Sequence, residues 1–258
     1  MPFPKTFDAY VPSDGKEFFK AANFKPDYVP LTELQAIALD DSHRASFSLA
    51  EKITPPATFA HCSRVYFFGL AMMYNGFPSE TPDVPQISLE ELTRRWYHCA
   101  MLHDLGLTKN AEALAHPANA MSFELHGGFM AYDHLHTADP TLDAAQVGDI
   151  VQGIITHTSS FHSGKSSAVA TLLKMCTAFD GLGYDAFGPG SLDFLQNRKT
   201  VQEIEKAFPR GAFGDEALEI VATEMARKPD CLMTHGMLEF IPRIAAVKFL
   251  VPPDEVCE

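Results

Sequence analysis

The chain has 258 residues, of which 46% are apolar, and this is enough for one compact domain with a large hydrophobic core. No run of about eighteen apolar residues occurs, so the sequence predicts no membrane-spanning helix. A formal net charge of −13 opposes binding to nucleic-acid phosphates and to anionic lipid, and a small molecule is the expected partner.

Capping residues and apolar spacing predict helices along most of the chain, and no alternating apolar and polar run predicts a strand. The predicted class is therefore all-α. Residues 1–30, rich in Pro, Phe, Asp and Lys, are expected to form an irregular surface arm. Residues 31–258 are expected to form the helical core and to end in a wrapping segment that contains several prolines. The predicted helices begin near Thr32, Ser42, Phe59, Ser88, Met121, Asp143, Ser166, Thr200 and Asp215.

The most informative of these helices ends at an adjacent His103-Asp104 pair. Ser88 followed by Glu91 is the pattern of a capping box and predicts the helix start. Trp96 and His103 lie seven residues apart, on one face of the helix, so an apolar stripe ends in an imidazole. A neighbouring imidazole and carboxylate offer the nitrogen and oxygen atoms that zinc and iron bind.

Three other predicted helices carry an apolar stripe that includes His61, His157 or Asp180. Taken alone, a histidine on an apolar face is more often a satisfied core residue, and an aspartate at a helix end often caps a neighbour. Taken together, the residues on these helices predict one inward-facing cluster in a helical bundle, where facing helices commonly build metal sites.

The order of His61, His103-Asp104 and Asp180 resembles the HD-domain superfamily of metal-dependent hydrolases and lyases, over about residues 55–185. The resemblance implies an HD-domain helical bundle with a metal site in its core. It also implies that His61, His103, Asp104 and Asp180 bind the metal. Zinc is the expected ion and iron is the alternative.

Several segments resemble the fungal cyanamide hydratases within that superfamily. They are residues 61–66 (HCSRVY), 102–104 (LHD), 121–128 (MSFELHGG), 207–210 (AFPR) and 227–229 (RKP). The resemblance implies a hydro-lyase that adds water to a small nitrile-like substrate, with cyanamide giving urea. The chain departs from the family pattern around the expected pocket, and these departures bear on the identity of the substrate. Cys62 separates His61 from Ser63, and Thr158 and Ser159 stand where the family has an acidic residue after His157. His126 replaces a tyrosine, and Leu232 replaces a histidine.

His157 is the expected catalytic residue. A metal such as zinc supplies hydroxide near neutral pH, and attack of hydroxide on the nitrile carbon leaves negative charge on the nitrogen. An imidazole that titrates near neutral pH is suited to donate a proton to that nitrogen.

Other functions stay open. His126 is expected beside the pocket, but with His157 it could supply extra ligands in a two-metal HD-domain oxygenase. Phosphoester hydrolysis is common in the superfamily, but few Lys or Arg residues neighbour the proposed ligands, and phosphate recognition favours those residues. A non-catalytic protein stabilised by a metal is a further alternative. The remaining histidines are expected in loops or on polar faces: His98, His116, His134, His136, His162 and His235.

The five cysteines have no C-x-x-C spacing and are expected to be reduced core thiols, which indicates a cytoplasmic protein. Cys62 follows His61 but points about 100° away from it on a helix, so we do not expect it to bind the metal. A homo-oligomer is the default expectation, although no apolar stripe supports it.

Overall fold

A computed structural model describes residues 3–235 and 239–257 of the chain. Helices dominate this part, and its strands are four pieces of three residues each, so the prediction of an all-α protein is confirmed. No described helix combines the length and the hydropathy needed to cross a membrane. The strands are β1 (Thr6–Asp8), β2 (Tyr10–Pro12), β3 (Gln86–Ser88) and β4 (Lys165–Ser167). The α-helices are α1 (Gly15–Ala21), α2 (Leu31–Leu34), α3 (Asp41–Ile53), α4 (Pro56–Tyr74), α5 (Leu89–Leu102), α6 (Ala111–Leu114), α7 (Phe123–Ala138), α8 (Ala144–Thr156), α9 (Ala168–Leu182), α10 (Arg198–Ala207), α11 (Phe213–Arg227) and α12 (Phe240–Ala246).

Helices α4, α5, α8 and α9 form the centre of the bundle, and α4 is buried along most of its length. The contact between α4 and α5 depends on Gly69. Trp96 is fully buried and donates its indole N–H to the Tyr66 carbonyl at 3.0 Å. A Cβ atom on Gly69 would lie 2.3 Å from the Trp96 ring, so a side chain at this position would force the two helices apart.

Ser88 and Asp143 cap α5 and α8, as predicted. The Ser88 hydroxyl accepts the Glu91 backbone N–H at 3.1 Å, as expected for the start of α5. The prediction that Thr200 begins a helix is wrong, because Asn197 caps α10. Thr200 is buried inside that helix, where its hydroxyl donates to the Val29 carbonyl at 2.9 Å.

The N-terminal residues, expected to be an irregular arm, contain regular structure that the sequence pattern did not indicate. Strand β1 pairs antiparallel with β3, and β2 pairs antiparallel with β4. Phe7, Val11 and Phe18 belong to the main hydrophobic core. Strands of three residues are too short to show an alternating pattern, and their partners lie far away in the sequence. As a result the segment spans the starts of α5 and α9.

The C-terminal residues run across α10. The backbone N–H groups of Leu250 and Val251 donate to the Glu205 carboxylate at 2.9 and 3.0 Å. Glu255 forms an ion pair with Arg198 at 2.5 Å. The predicted wrapping segment includes Pro242, which lies within α12, and Pro252 and Pro253, which lie beyond it.

Candidate metal centre

Four helices of the bundle bring the predicted site residues toward one point. His61 lies in the second turn of α4, and Asp180 lies near the end of α9. His103 and His157 are the residues that terminate α5 and α8, and Asp104 follows His103 directly. The apolar stripes of these helices therefore deliver polar side chains to the interior, as the sequence predicts.

His61, His103 and Asp104, here called the ligand group, are buried and could hold a metal ion, because their ligand atoms all lie within 4.8 Å of one another. Nε2 of His61 lies 3.2 Å from Nε2 of His103. Oδ2 of Asp104 lies 3.3 Å from Nε2 of His103 and 3.6 Å from Nε2 of His61. No other set of three or more potential ligands is found among residues 3–235 and 239–257.

The charges within the ligand group favour a cation at this point. Burial opposes the charge on His103, but the Asp104 carboxylate and the Cys62 sulfur together outweigh this effect and hold the pKa of His103 well above its usual value. Burial also opposes ionisation of Asp104, but the imidazoles, led by that of His103, hold the pKa of this carboxyl below its usual value. A bound metal cation would take the place of the proton on His103, since ligands bind metal in their deprotonated form.

The outer ring nitrogens are tied down, which fixes the direction of the inner ones. His103 and His157 each have Nδ1 hydrogen-bonded to the carbonyl three residues earlier, at 2.8 and 2.6 Å. Nδ1 of His61 lies 2.5 Å from Oδ2 of Asp180. Donation from Nδ1 leaves the Nε2 lone pair of each neutral ring free, which is the usual arrangement in metal-binding histidines.

Asp180 is placed behind His61 and is not part of the ligand group, which differs from the expectation that it binds the metal. Its oxygens also accept from Arg64 Nε and Nη2, at 2.7 and 2.8 Å, and Arg210 Nη1 lies 3.3 Å away. Burial opposes ionisation of Asp180, but Arg64 and Arg210 hold the pKa of this carboxyl well below its usual value. The carboxylate is thus surrounded by donors, and it orients the His61 ring.

His157 lies at the edge of the ligand group. Its Nε2 atom is 3.9 Å from Oδ1 of Asp104, and its ring meets the His103 ring edge-on with centroids 5.2 Å apart. Burial, with a further contribution from His103, lowers the pKa of His157 to about 4. The imidazole is therefore neutral near pH 7, with its free nitrogen close to the candidate ligands.

His126 is not brought to the ligand group. Its Nε2 atom is hydrogen-bonded to the Ala113 carbonyl at 3.0 Å, and its ring stacks on His116 with centroids 5.8 Å apart. It does not line the cavity beside the ligand group. The structure therefore gives no support to His126 as a ligand of a second metal.

A cavity of ≈170 Å³ opens onto the ligand group. Phe213 forms one wall and stacks on the His61 ring at a centroid distance of 4.3 Å. The remaining walls are mainly apolar. A cavity of this volume suits a molecule smaller than the ligands of most pockets. The polar residues that line the cavity outside the histidines and Asp104 are Thr158, Ser160, Lys174 and Thr177.

The expectation that few cationic side chains lie near the site is wrong. Arg64 and Arg210 both contact Asp180, and Lys174 lines the cavity. Arg64 follows His61 by three residues on the same helix, so its position on the same face could have been read from the sequence. Arg210 lies on a distant loop, and no local pattern indicates its contact with α9.

The expectation that His98 lies in a loop or on a polar face is also wrong. It is fully buried on α5, and its Nδ1 atom lies 2.9 Å from the Ser46 hydroxyl. The same hydroxyl lies 3.0 Å from Nε2 of His134, and Nε2 of His98 lies 3.5 Å from Asp139. This polar network has a structural role in the core, away from the cavity.

A scan against protein-family models and a search of curated proteins found no match to the chain. The feature of the molecule that bears most directly on function is the burial of two imidazoles and a carboxylate at the end of a small cavity.

Proposed function

We propose that the protein is a metal-dependent hydro-lyase of the HD-domain type, which adds water to a small nitrile-like substrate. The observation that carries this proposal is the ligand group of His61, His103 and Asp104 at the end of a cavity of ≈170 Å³. The sequence motifs that resemble cyanamide hydratases give the reaction, in which cyanamide would be converted to urea. All five cysteines are free, which supports a reducing compartment such as the cytoplasm.

The ligand group would hold the metal. Two imidazole nitrogens and one carboxylate oxygen suit zinc, the proposed ion, and also divalent iron. When bound, such an ion leaves a coordination position open and lowers the pKa of water to about 7, so that hydroxide is available at neutral pH. Asp180 supports this site through His61, since a carboxylate on the outer nitrogen fixes the tautomer and the direction of the ring.

His157 would move the proton. Its Nδ1–H group is directed to the Ile154 carbonyl, so its Nε2 atom is an acceptor in the neutral ring. The Nε2 atom would take the proton that water loses when it becomes hydroxide. As the oxygen–carbon bond then forms, one bond of the nitrile triple bond breaks toward nitrogen. His157 then returns the proton to that nitrogen, and tautomerisation gives the amide. The pKa of about 4 lies below the neutral range expected from the sequence, so the ring is a ready donor once it is protonated but a weak acceptor.

Phosphoester hydrolysis is the second candidate, and the observation in its favour is that Lys174 lines the cavity. Lys174 is a single cation among mainly apolar walls. Phosphate recognition commonly uses bidentate arginine contacts, but no arginine lines the described cavity. We therefore rank this reaction second.

The test begins with elemental analysis of the purified protein, followed by assays on the same sample. We expect about one equivalent of metal, formation of urea from cyanamide, and loss of that activity on chelation. Hydrolysis of bis(p-nitrophenyl) phosphate without urea formation would favour the second candidate. A protein that is inert in both assays but unfolds on chelation would have a structural metal site.

A further inference from the structure

Lys174 occupies a distinctive place on α9. It lies on the helix face that also carries Thr177 and Gly181, and all three residues line the cavity beside the ligand group. Within the part of the chain that the structure describes, it is the one Lys or Arg residue in the cavity wall.

Lys174 is half-buried, and its backbone carbonyl accepts from the Thr177 hydroxyl at 3.2 Å. Its ammonium group forms no hydrogen bond or ion pair with another described residue. Burial lowers the pKa of its ammonium group, and the Asp14 carboxylate opposes this effect. Asp14 itself caps α1, where it accepts the backbone N–H groups of Lys16 and Glu17 at 3.0 and 3.1 Å. The Asp14 carboxylate keeps its charge at the start of α1 and acts on Lys174 through space, without an ion pair.

A half-buried ammonium group beside an apolar wall loses part of its water, and the charge of Asp14 offsets this loss only through space. An anion bound in the cavity would supply a direct partner. The hydroxyl groups of Thr158, Ser160 and Thr177 are neutral and cannot supply the charge. The wall thus combines apolar surface, a few hydroxyls and one positive charge, and this suits a small molecule with an acidic group.

We propose that Lys174 binds an anionic group of the substrate, so that the preferred substrates are small nitriles that carry a carboxylate. The nitrile end of such a molecule would face the ligand group while its carboxylate meets the ammonium group. This inference rests on the proposed function for the identity of the reacting end. The recognition of the anionic end is a separate property, which can be measured without turnover.

The experiment compares binding of cyanoacetate and cyanoacetamide, which have nearly the same shape and differ in charge. Dissociation constants are measured by calorimetry on the metal-loaded protein. The variants are Lys174→Met, which removes the charge, and Lys174→Arg, which keeps it. Lys206→Met is the matched control, because Lys206 is exposed on α10.

We expect the preference of the wild-type protein for cyanoacetate over cyanoacetamide to fall about tenfold in Lys174→Met. The preference should be largely kept in Lys174→Arg and unchanged in Lys206→Met. A metal ion also attracts a carboxylate, but this contribution is common to all the proteins and cancels in the comparison. If Lys174→Met does not fold, Lys174→Gln repeats the measurement.

An equal preference in wild type and Lys174→Met, or no binding of cyanoacetate by the wild-type protein, overturns the inference. Urea formation from cyanamide tests the proposed function separately. Retained charge preference without turnover of any nitrile would reject the hydratase activity and keep Lys174 as an anion-binding residue. Turnover of cyanamide without a preference for the charged ligand would support the hydratase activity and reject Lys174 as an anion-binding residue.

Discussion

The carboxylate of Asp180 lies 2.5 Å from Nδ1 of His61, on the ring nitrogen opposite to the one that faces His103. Arg64 binds the same carboxylate with two nitrogens, so the acceptor is held in a fixed position. The sequence motif would make Asp180 a metal ligand, but in this structure Asp180 orients the ring of His61, a member of the ligand group. Two measurable properties, metal affinity and stability, depend on this contact.

The first prediction concerns Asp180→Asn. Loss of the outer carboxylate should lower metal affinity by about 10–100-fold, because the His61 ring loses its charged acceptor. The same change leaves Arg64 buried without a counter-charge and should lower the free energy of unfolding by about 3–5 kcal/mol. A chelator competition titration and urea unfolding measure the two effects.

Asp149→Asn is the control for this variant. The Asp149 carboxylate forms an ion pair with Arg95, with a nitrogen–oxygen distance of 3.0 Å, and this pair lies apart from the ligand group. Its metal affinity should equal that of the wild-type protein. An Asp180→Asn protein that binds metal as tightly as wild type would contradict the role given to the carboxylate.

The second prediction concerns the number of metal ions. His103→Ala should reduce the bound metal from about one equivalent to almost none, because the ligand group then keeps only His61 and Asp104. His126→Ala should keep the full equivalent, since its ring is bonded to the Ala113 carbonyl. Elemental analysis after dialysis measures the bound metal in both variants. Two equivalents in the wild type and one in His126→Ala would revive the two-metal interpretation.

The third prediction separates proton transfer from metal binding at His157. His157→Ala should lower turnover of cyanamide by about 10²–10⁴-fold, the usual contribution of a general acid–base residue, while the metal content stays near one equivalent. Turnover and elemental analysis are measured on the same preparation. Loss of the metal together with activity would instead identify His157 as a ligand.

The fourth prediction concerns stability in acid. Burial, with a contribution from His43, lowers the pKa of His98 to about 4. Because this value lies below that of an unfolded histidine, the unfolded chain binds more protons between about pH 6.5 and pH 4, and stability falls as the pH falls through this range. From pH 7 to pH 5 we expect His98 to account for a loss of about 2 kcal/mol.

His98→Asn removes this titrating group and keeps a polar atom near Ser46. Urea unfolding at pH 7 and pH 5 should show a smaller difference in the variant than in the wild type. The residual slope comes from the other buried histidines, such as His126 and His157. An unchanged slope would show that His98 does not titrate differently in the folded and unfolded chains.

The fifth prediction tests the packing of α4 on α5. Gly69→Ala should lower the free energy of unfolding by about 1–3 kcal/mol, because the new methyl group overlaps the Trp96 ring. Gly148→Ala is the matched control on a helix, since no atom lies within 4 Å of a Cβ at that position. It should be neutral or stabilising by up to about 1 kcal/mol. Thermal unfolding that ranks the two variants in the opposite order would contradict this packing.

The helices could be predicted from the sequence, because they follow from local periodicity. The convergence of His61, His103 and Asp104 is expected from apolar stripes on several helices together with the resemblance to the HD-domain superfamily, and the structure brings the three residues together. Apolar stripes that end in polar residues have to turn those residues inward when the stripe is buried. The role of Asp180 could not be predicted in this way. It depends on Arg64 and Arg210, whose contacts cross about 116 and 30 residues of chain.

The positions of Lys174 and His98 show a second reason for failure. Both residues lie on helices that the sequence predicts. The direction of each side chain, however, depends on the rotation of its helix and on the neighbouring helices. Lys174 faces a cavity closed by α11 and α12, which the chain reaches only later. His98 faces Ser46 on α3, and no spacing rule links the two residues.

The pairing of β2 with β4 joins residues that are about 150 positions apart in the chain. During synthesis β1 can pair with β3 once residue 88 has left the ribosome, but β2 has no partner until residue 167 has done so. We therefore expect the pairing of β2 with β4, at the start of α9, to form later than the pairing of β1 with β3 at the start of α5. A change at Tyr10 or Val11 should slow maturation of the protein more than it alters the early helices.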